Sequence, residues 1–218
     1  MVKRYSFLAV FLFILDIALG IYLTSQYLMP SVTTKHRLDT MSVAEWIGAE
    51  IPSGTDAFTL KQGENPTGDF LSVTGADASS SLIQHNDPAS NVPEKAVDGD
   101  LSTSWQEDGE DGPGIGEWIC YSFGEGTRVE SIVMHLGVWS EANGTVYYYL
   151  DNRPKTLLID AGDRHFSVEI PDEKQAWTIV FDEPLQEDAI IFTIADVYAG
   201  SSYDDTGISE LAFYGRNG

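Results

Sequence analysis

From residue 71 to residue 214 the chain is a succession of short runs of β-branched and aromatic residues, separated by clusters of Gly, Asp, Asn and Pro. No stretch between them carries an apolar stripe at helical spacing, so the pattern is that of an all-β chain. Strands are expected near 71–73, 117–123, 128–136, 145–150, 156–159, 165–170, 176–181, 189–197 and 208–214. Strands this short bury their apolar faces by pairing antiparallel and packing one sheet on another, as a sandwich or barrel. Pro154, Pro171 and Pro184 are expected between the runs, where a missing N–H removes no ladder hydrogen bond. No internal repeat is visible.

Charge narrows the partners. The 218 residues hold 12 Lys or Arg against 34 Asp or Glu, a net charge of -22. From Ala76 onward there are 7 basic and 27 acidic residues, a net of -20 for that part. Such a surface repels nucleic acid and anionic lipid headgroups, leaving cations and neutral ligands as partners. The single cysteine, Cys120, rules out an internal disulfide framework and a cysteine-built zinc site.

Ahead of the strands, Lys3 and Arg4 precede an apolar run of seventeen residues, 7–23, whose one charged residue is Asp16. At about 1.5 Å per residue this barely spans a hydrocarbon core of roughly 30 Å, with Tyr5 and Tyr27-Leu28-Met29 available to extend it. Asp16 costs about 2.5–3.5 kcal/mol at mid-membrane, which nine apolar residues before it can offset. Basic residues before the run and none directly after predict a single-pass anchor with the N-terminus in the cytoplasm and the remainder extracytoplasmic, at the cell membrane. The alternative is a cleaved signal peptide with Ala18 and Gly20 at the cleavage site. The expected organisation is therefore 1–29 tip and transmembrane helix, 30–72 stalk or linker, and 73–218 β domain. The linker holds one short helix begun near Ser42, with Glu45 completing a capping box.

One stretch, residues 94–105, gathers oxygen. Asp98-Gly99-Asp100 is a turn signal, followed by the hydroxyls of Ser102, Thr103 and Ser104 and then by Trp105 as a core anchor. Either it is a polar turn before a strand, or it surrounds a hard cation such as Ca²⁺. It is not an EF-hand, because Thr103 and Gly109 stand where that loop needs Gly and a bidentate Glu. A second acidic stretch, 107–112, is either a solvated loop or a weaker cation site.

Ala78-Ser79-Ser80, residues 95–100, Ser102-Thr103-Ser104-Trp105 and the closing segment 208–215 together resemble a discoidin or coagulation-factor C-type domain. Residues 114–119, Asn152-Arg153-Pro154-Lys155, Asp196-Val197-Tyr198 and 203–206 are similar to one subfamily, the glycan-binding translocation domain of an NAD glycohydrolase. The resemblance covers about 73–216 and implies a galactose-binding-like jelly-roll β-sandwich. It implies a structural Ca²⁺ held by the carboxylates of Asp98 and Glu210, the backbone carbonyls of Lys95 and Asp100, and the Thr103 hydroxyl. It also implies glycan binding on loops at one end, through Trp139, Tyr147, Asn152, Arg153, Tyr198, Tyr203 and Asp204.

Arg153 stands out as one of seven basic residues in an acidic domain, able to donate in a fork to ligand oxygens or to pair with a nearby carboxylate. Trp105, Trp118 and Trp177 are expected in the core. Asn143-Gly144-Thr145 fits the N-glycosylation pattern, which matters only in a eukaryote. The four histidines show no metal-binding spacing, and neither a nucleophile elbow nor a phosphate-binding Gly loop occurs. The resemblance is to an accessory domain and carries no NAD glycohydrolase activity. The function expected is a membrane-anchored glycan or cell-surface-ligand binder without turnover. The alternatives are a protein-interaction module of the envelope and, third, a hydrolase.

Overall fold

The computed structural model describes residues 58–108 and 112–218. The apolar run 7–23 and the expected helix near Ser42 lie outside the described residues. Among the described residues no helix is long and apolar enough to cross a membrane.

The described residues form thirteen strands in chain order: β1 (Phe58–Gln62), β2 (Asp69–Leu71), β3 (Gly75–Ala78), β4 (Trp105–Gln106), β5 (Trp118–Ser122), β6 (Arg128–Leu136), β7 (Glu141–Ala142), β8 (Thr145–Val146), β9 (Arg153–Ala161), β10 (Arg164–Glu169), β11 (Trp177–Leu185), β12 (Ala189–Tyr198) and β13 (Gly207–Arg216). One sheet runs β1-β11-β6-β13-β2, with β4 also on β13, and the facing sheet runs β10-β9-β12-β5-β3. Their ladders are antiparallel. This is the β-sandwich that the periodicity predicts.

Alternation explains the core. Along β12, Ile190, Phe192 and Ile194 are buried while their neighbours are partly exposed, and β9 sends Leu157, Ile159 and Ala161 inward. Phe213 of β13 meets Phe123, Tyr121 and Phe192 edge to face, with ring centroids 5.0, 5.5 and 6.1 Å apart. Edge-to-face geometry places the positive ring rim against a negative face, adding about 0.5–1.5 kcal/mol per pair beyond area burial. Trp105 is fully buried, and its indole N–H donates to the Ser80 carbonyl at 2.9 Å. Trp118 and Trp177 are only partly buried, so of the three tryptophans expected in the core Trp105 alone is enclosed.

Several boundaries differ from expectation. The sandwich begins ahead of residue 73: β1 pairs with β11 over its whole length, from Phe58 opposite Phe181 to Gln62 opposite Trp177. The 30–72 linker therefore contributes two strands, β1 and β2. Residues 145–150 are not one strand. Thr145–Val146 pairs with Glu141–Ala142 across an Asn143-Gly144 turn, both residues at positive φ (52° and 80°), and Tyr147–Tyr149 is a 3-10 turn. Pro154 and Pro184 lie inside β9 and β11, at irregularities in the ladders where an absent N–H is tolerated. The short strands β3, β4 and β7 had no apolar run to announce them.

The fold collects loops at one end. β6 runs into it and β13 leaves it, joined by an isolated bridge from Gly137 to Ile208; β12 runs into it and β9 leaves it, with Tyr198 opposite Arg153. The connections 137–152 and 199–206 therefore lie side by side, as the bridge from Asn152 to Thr206 shows.

Candidate functional site

Arg153 opens β9 and holds this end together. Its Nε donates to Asp172 Oδ1 at 2.7 Å and its Nη2 to Asp172 Oδ2 at 2.9 Å. Nη1 donates to the Tyr148 and Asp151 carbonyls at 3.3 and 3.0 Å, and Nη2 reaches the Ala199 carbonyl at 3.5 Å. The guanidinium also lies 5.5 Å from the ring centres of Tyr148 and Tyr149. A guanidinium has five N–H donors, and all five are taken. With 5% of the residue exposed, Arg153 is a clamp between loops, and it has no fork left for a ligand. Asn152 is a second clamp, 2% exposed. Its amide N–H donates to the Asp204 carbonyl and its carbonyl accepts from Gly200 N–H at 2.7 Å.

These clamps frame a cleft of about 380 Å³ lined by Gln84, His85, Gln106, Val138, Ser140, Tyr147, Asp151, Tyr203 and Asp205. Tyr203 is exposed and Tyr147 half-buried. Of the seven residues the resemblance assigns to ligand binding, these two line the cleft. Trp139 is half-buried behind it, its indole N–H on the Leu136 carbonyl at 2.9 Å and its ring edge-on to His135 and Tyr148. Tyr198 donates its hydroxyl to the Ile170 carbonyl at 3.1 Å, and the Asp204 carbonyl is held by Asn152. Trp139, Asn152, Arg153, Tyr198 and Asp204 thus support the cleft from outside its lining.

Sequence reasoning passed over Gln84, His85, Gln106, Asp151 and Asp205. Asp151 directly precedes the Asn152-Arg153-Pro154-Lys155 stretch and Asp205 lies within 203–206, and that proximity was the available signal. Gln106 and Asp151 are each 5% exposed, and Gln106 Oε1 and Asp151 Oδ2 have no hydrogen-bond partner. Burial, with Asp205 adding repulsion, pushes the Asp151 carboxyl up to about 6. Asp205 is likewise raised, by burial and then by Asp108 and Asp204.

The Asp98 loop is separate from the cleft lining. Thr103 Oγ1 lies 3.2 Å from the Lys95 carbonyl, 3.0 and 2.9 Å from the two Asp98 carboxylate oxygens and 3.0 Å from the Asp100 carbonyl. Glu210 Oε2 accepts from Gly99 N–H at 3.0 Å. A hydroxyl has one proton to donate, so it can satisfy only one of these four acceptors; the remaining oxygens crowd it with like partial charge. Carboxylates, carbonyls and a hydroxyl are the donors a hard cation takes, although Asp98 also accepts from Asp100 N–H at 2.9 Å and lies 3.6 Å from Lys95 Nζ, and among the described residues no group of three or more His, Cys, Asp or Glu side chains stands ready to hold a metal. Burial raises the Glu210 carboxyl to about 7, Asp98 and Asp100 adding to the rise against the Gly99 hydrogen bond. All five residues assigned to the metal therefore come together.

In the acidic stretch 107–112, residues 109–111 lie outside the described residues. Glu107 is not solvated: it is 2% exposed and accepts from Thr206 N–H at 2.7 Å. Burial raises its carboxyl to about 7. Gly114, at φ +72°, leaves the space it fills, since a Cβ there would stand 2.6 Å from its side chain.

Among solved structures, the paired CBM32 domains of Clostridium perfringens ZmpB in complex with GalNAc superpose with a TM-score of 0.51 at 18% identity, over 80% of this chain and 43% of that one. The ZmpB structure that adds an M60 catalytic domain gives a TM-score of 0.52 at 17% identity, over 75% of this chain and 17% of that one. The family 32 CBM of C. perfringens NanJ, solved with galactose, gives 0.48 at 21% identity, over 65% of this chain and 93% of that one. No curated protein matches the sequence. The ZmpB likenesses are likenesses of fold. A family model matches residues 69–214, from the start of β2 almost to the end of β13, and places the chain by sequence. With its discoidin-like sandwich, the chain belongs to the family described as the NAD glycohydrolase translocation F5/8 type C domain.

Proposed function

We propose that this chain is a glycan-binding module, held at the cell membrane by the segment 7–23 with its β domain extracytoplasmic, and that it binds sugar in the 380 Å³ cleft without chemical turnover. The observation that carries the reading is the cleft's make-up: Tyr147 and Tyr203 beside Gln84, Gln106 and Asp151, at the loop end of a rigid sandwich. Aromatic faces cover the apolar faces of a sugar ring, while a few fixed polar groups orient its hydroxyls. The fold shared with the ZmpB pair, which was solved with GalNAc, supports it. A structural Ca²⁺ in the Lys95, Asp98, Asp100, Thr103 and Glu210 cradle belongs to the same proposal. When bound it would tie the loop at 95–103 to β13, closing a long stretch of chain, so that its binding energy becomes folding energy.

The test is a glycan-array screen of the full chain, wild type against Tyr203→Ala. Saturable binding weakened about tenfold or more in the variant, with unchanged thermal stability, supports the reading. A folded wild-type chain that binds no glycan overturns it, in favour of a protein partner for the same end of the sandwich.

A further inference from the structure

We propose that the ligand presents a free, protonated amine, as an amino sugar without its acetyl group does, and that Gln106, Asp151 and Asp205 receive that ammonium at the cleft floor. The inference rests on the glycan reading and names the sugar class.

The floor is built of acceptors. Gln106 uses its amide N–H on Ser104 Oγ at 3.0 Å, leaving Oε1 without a partner, and Asp151 Oδ2 has none. Both residues are more than nine-tenths buried and both line the cleft. A buried acceptor without a donor is a costly state, so the group that completes this floor must donate.

Charge separates an ammonium from a hydroxyl. Asp205 lies close enough to Asp151 to oppose its ionisation, and Asp108 and Asp204 oppose that of Asp205 in turn. A neutral hydroxyl satisfies the acceptors but leaves this repulsion in place. An ammonium supplies three N–H donors and a positive charge together. The protein itself offers little: the Arg153 guanidinium has its five donors occupied, and the one basic side chain in the lining is the exposed His85. For the same reason a uronate or another acidic sugar would bring its carboxylate to an anionic floor with nothing to receive it. A bare divalent ion would also relieve the charge. Two tyrosines in the lining, however, suit a ring better than an ion.

The experiment is calorimetric titration of the full chain, in chelator and slightly below neutral pH, with a β-1,4 glucosamine oligomer, its fully N-acetylated counterpart and an oligogalacturonate. The amine oligomer is expected to bind about tenfold or more tightly than the acetylated one, and the uronate not at all. Asp151→Asn and Asp205→Asn, each checked by thermal melting, are expected to erase that preference. Equal or tighter binding of the acetylated sugar, or binding of the uronate, overturns the amine inference and leaves the glycan reading standing. No binding of any sugar by the folded chain overturns both. Competition between Ca²⁺ or Mg²⁺ and the amine that vanishes in Asp151→Asn would make the floor a metal site and overturn the inference alone.

Discussion

Arg153 and Asp172 lie fork to fork, Nε to Oδ1 at 2.7 Å and Nη2 to Oδ2 at 2.9 Å, across the entry to β9. The arginine side chain is 6% exposed and the aspartate 34%, so the pair sits at the border of the interior. Its place explains why this basic side chain is buried in so acidic a domain: it gathers three carbonyls and a carboxylate at one point.

Arg153→Ala is expected to lower stability by about 2–3 kcal/mol, less than a fully buried pair would because Asp172 is partly screened by water. Arg153→Lys recovers little of this, since an ammonium cannot form the fork. Urea unfolding midpoints of the three proteins check it. An Arg153→Ala midpoint equal to wild type would remove the clamp from the account.

Ca²⁺ is expected to raise the melting temperature of the full chain by several degrees when present at about a hundred times its dissociation constant, a stabilisation of about 2.7 kcal/mol. Glu210→Gln should abolish the response, while Asp151→Asn should leave it intact. Thermal melts with Ca²⁺ and with chelator distinguish a cation cradle from a hydrogen-bonded turn, for which chelator changes nothing.

Without metal, stability should fall as pH rises from about 4.5 to about 7. Glu107 and Glu210 have folded-state values raised from 4.5 to about 7, chiefly by burial. In that window the folded chain therefore holds protons that the unfolded chain has released. The contribution is fully present below 4.5 and lost by the time pH passes 7, on the order of 3 kcal/mol for each group. Asp151, raised to about 6, acts in the same direction. Urea unfolding across this range in chelator measures it. Saturating Ca²⁺ should flatten the Glu210 share, because the cation favours the ionised form.

Gly200→Ala is expected to weaken ligand binding. A Cβ at Gly200 would stand 2.3 Å from the Leu150 carbonyl oxygen and 2.5 Å from the Asp151 carbonyl carbon, both backbone atoms. The loop that carries Tyr203 and Asp205 must then move off the 147–151 turn. The cost is about 1–3 kcal/mol of stability. A larger relative loss appears in glycan affinity, read by titration beside a melting curve. Unchanged affinity would separate loop position from binding.

The Asp98 turn was legible as a local cluster of oxygens, because Asp98, Asp100 and Thr103 sit within six residues and turn chemistry brings them together. Lys95 and Glu210 were connected to it only by the family resemblance. The cleft was legible far less well. Tyr147 and Tyr203 could be named as aromatics in polar loops, but Gln106, Asp151 and Asp205 come from three separated stretches and have no pattern of their own. Arg153 stayed open in the sequence for a related reason: a guanidinium that binds ligand and one that clamps loops look the same there, and only the count of occupied donors favours the clamp.

Short β-branched and aromatic runs by themselves determined the all-β class and most of the strands, since strand geometry is a local consequence of such runs. Composition by itself set the acidic surface and, with one cysteine, ruled out an internal disulfide. Tertiary structure alone decided that β1 and β2 belong to the sandwich, because edge strands are held by a partner's ladder and need little apolar character of their own. It alone decided which polar side chains stay unpaired beneath the cleft, because hydrogen-bond satisfaction is set by every neighbour in space and not by the residues on either side.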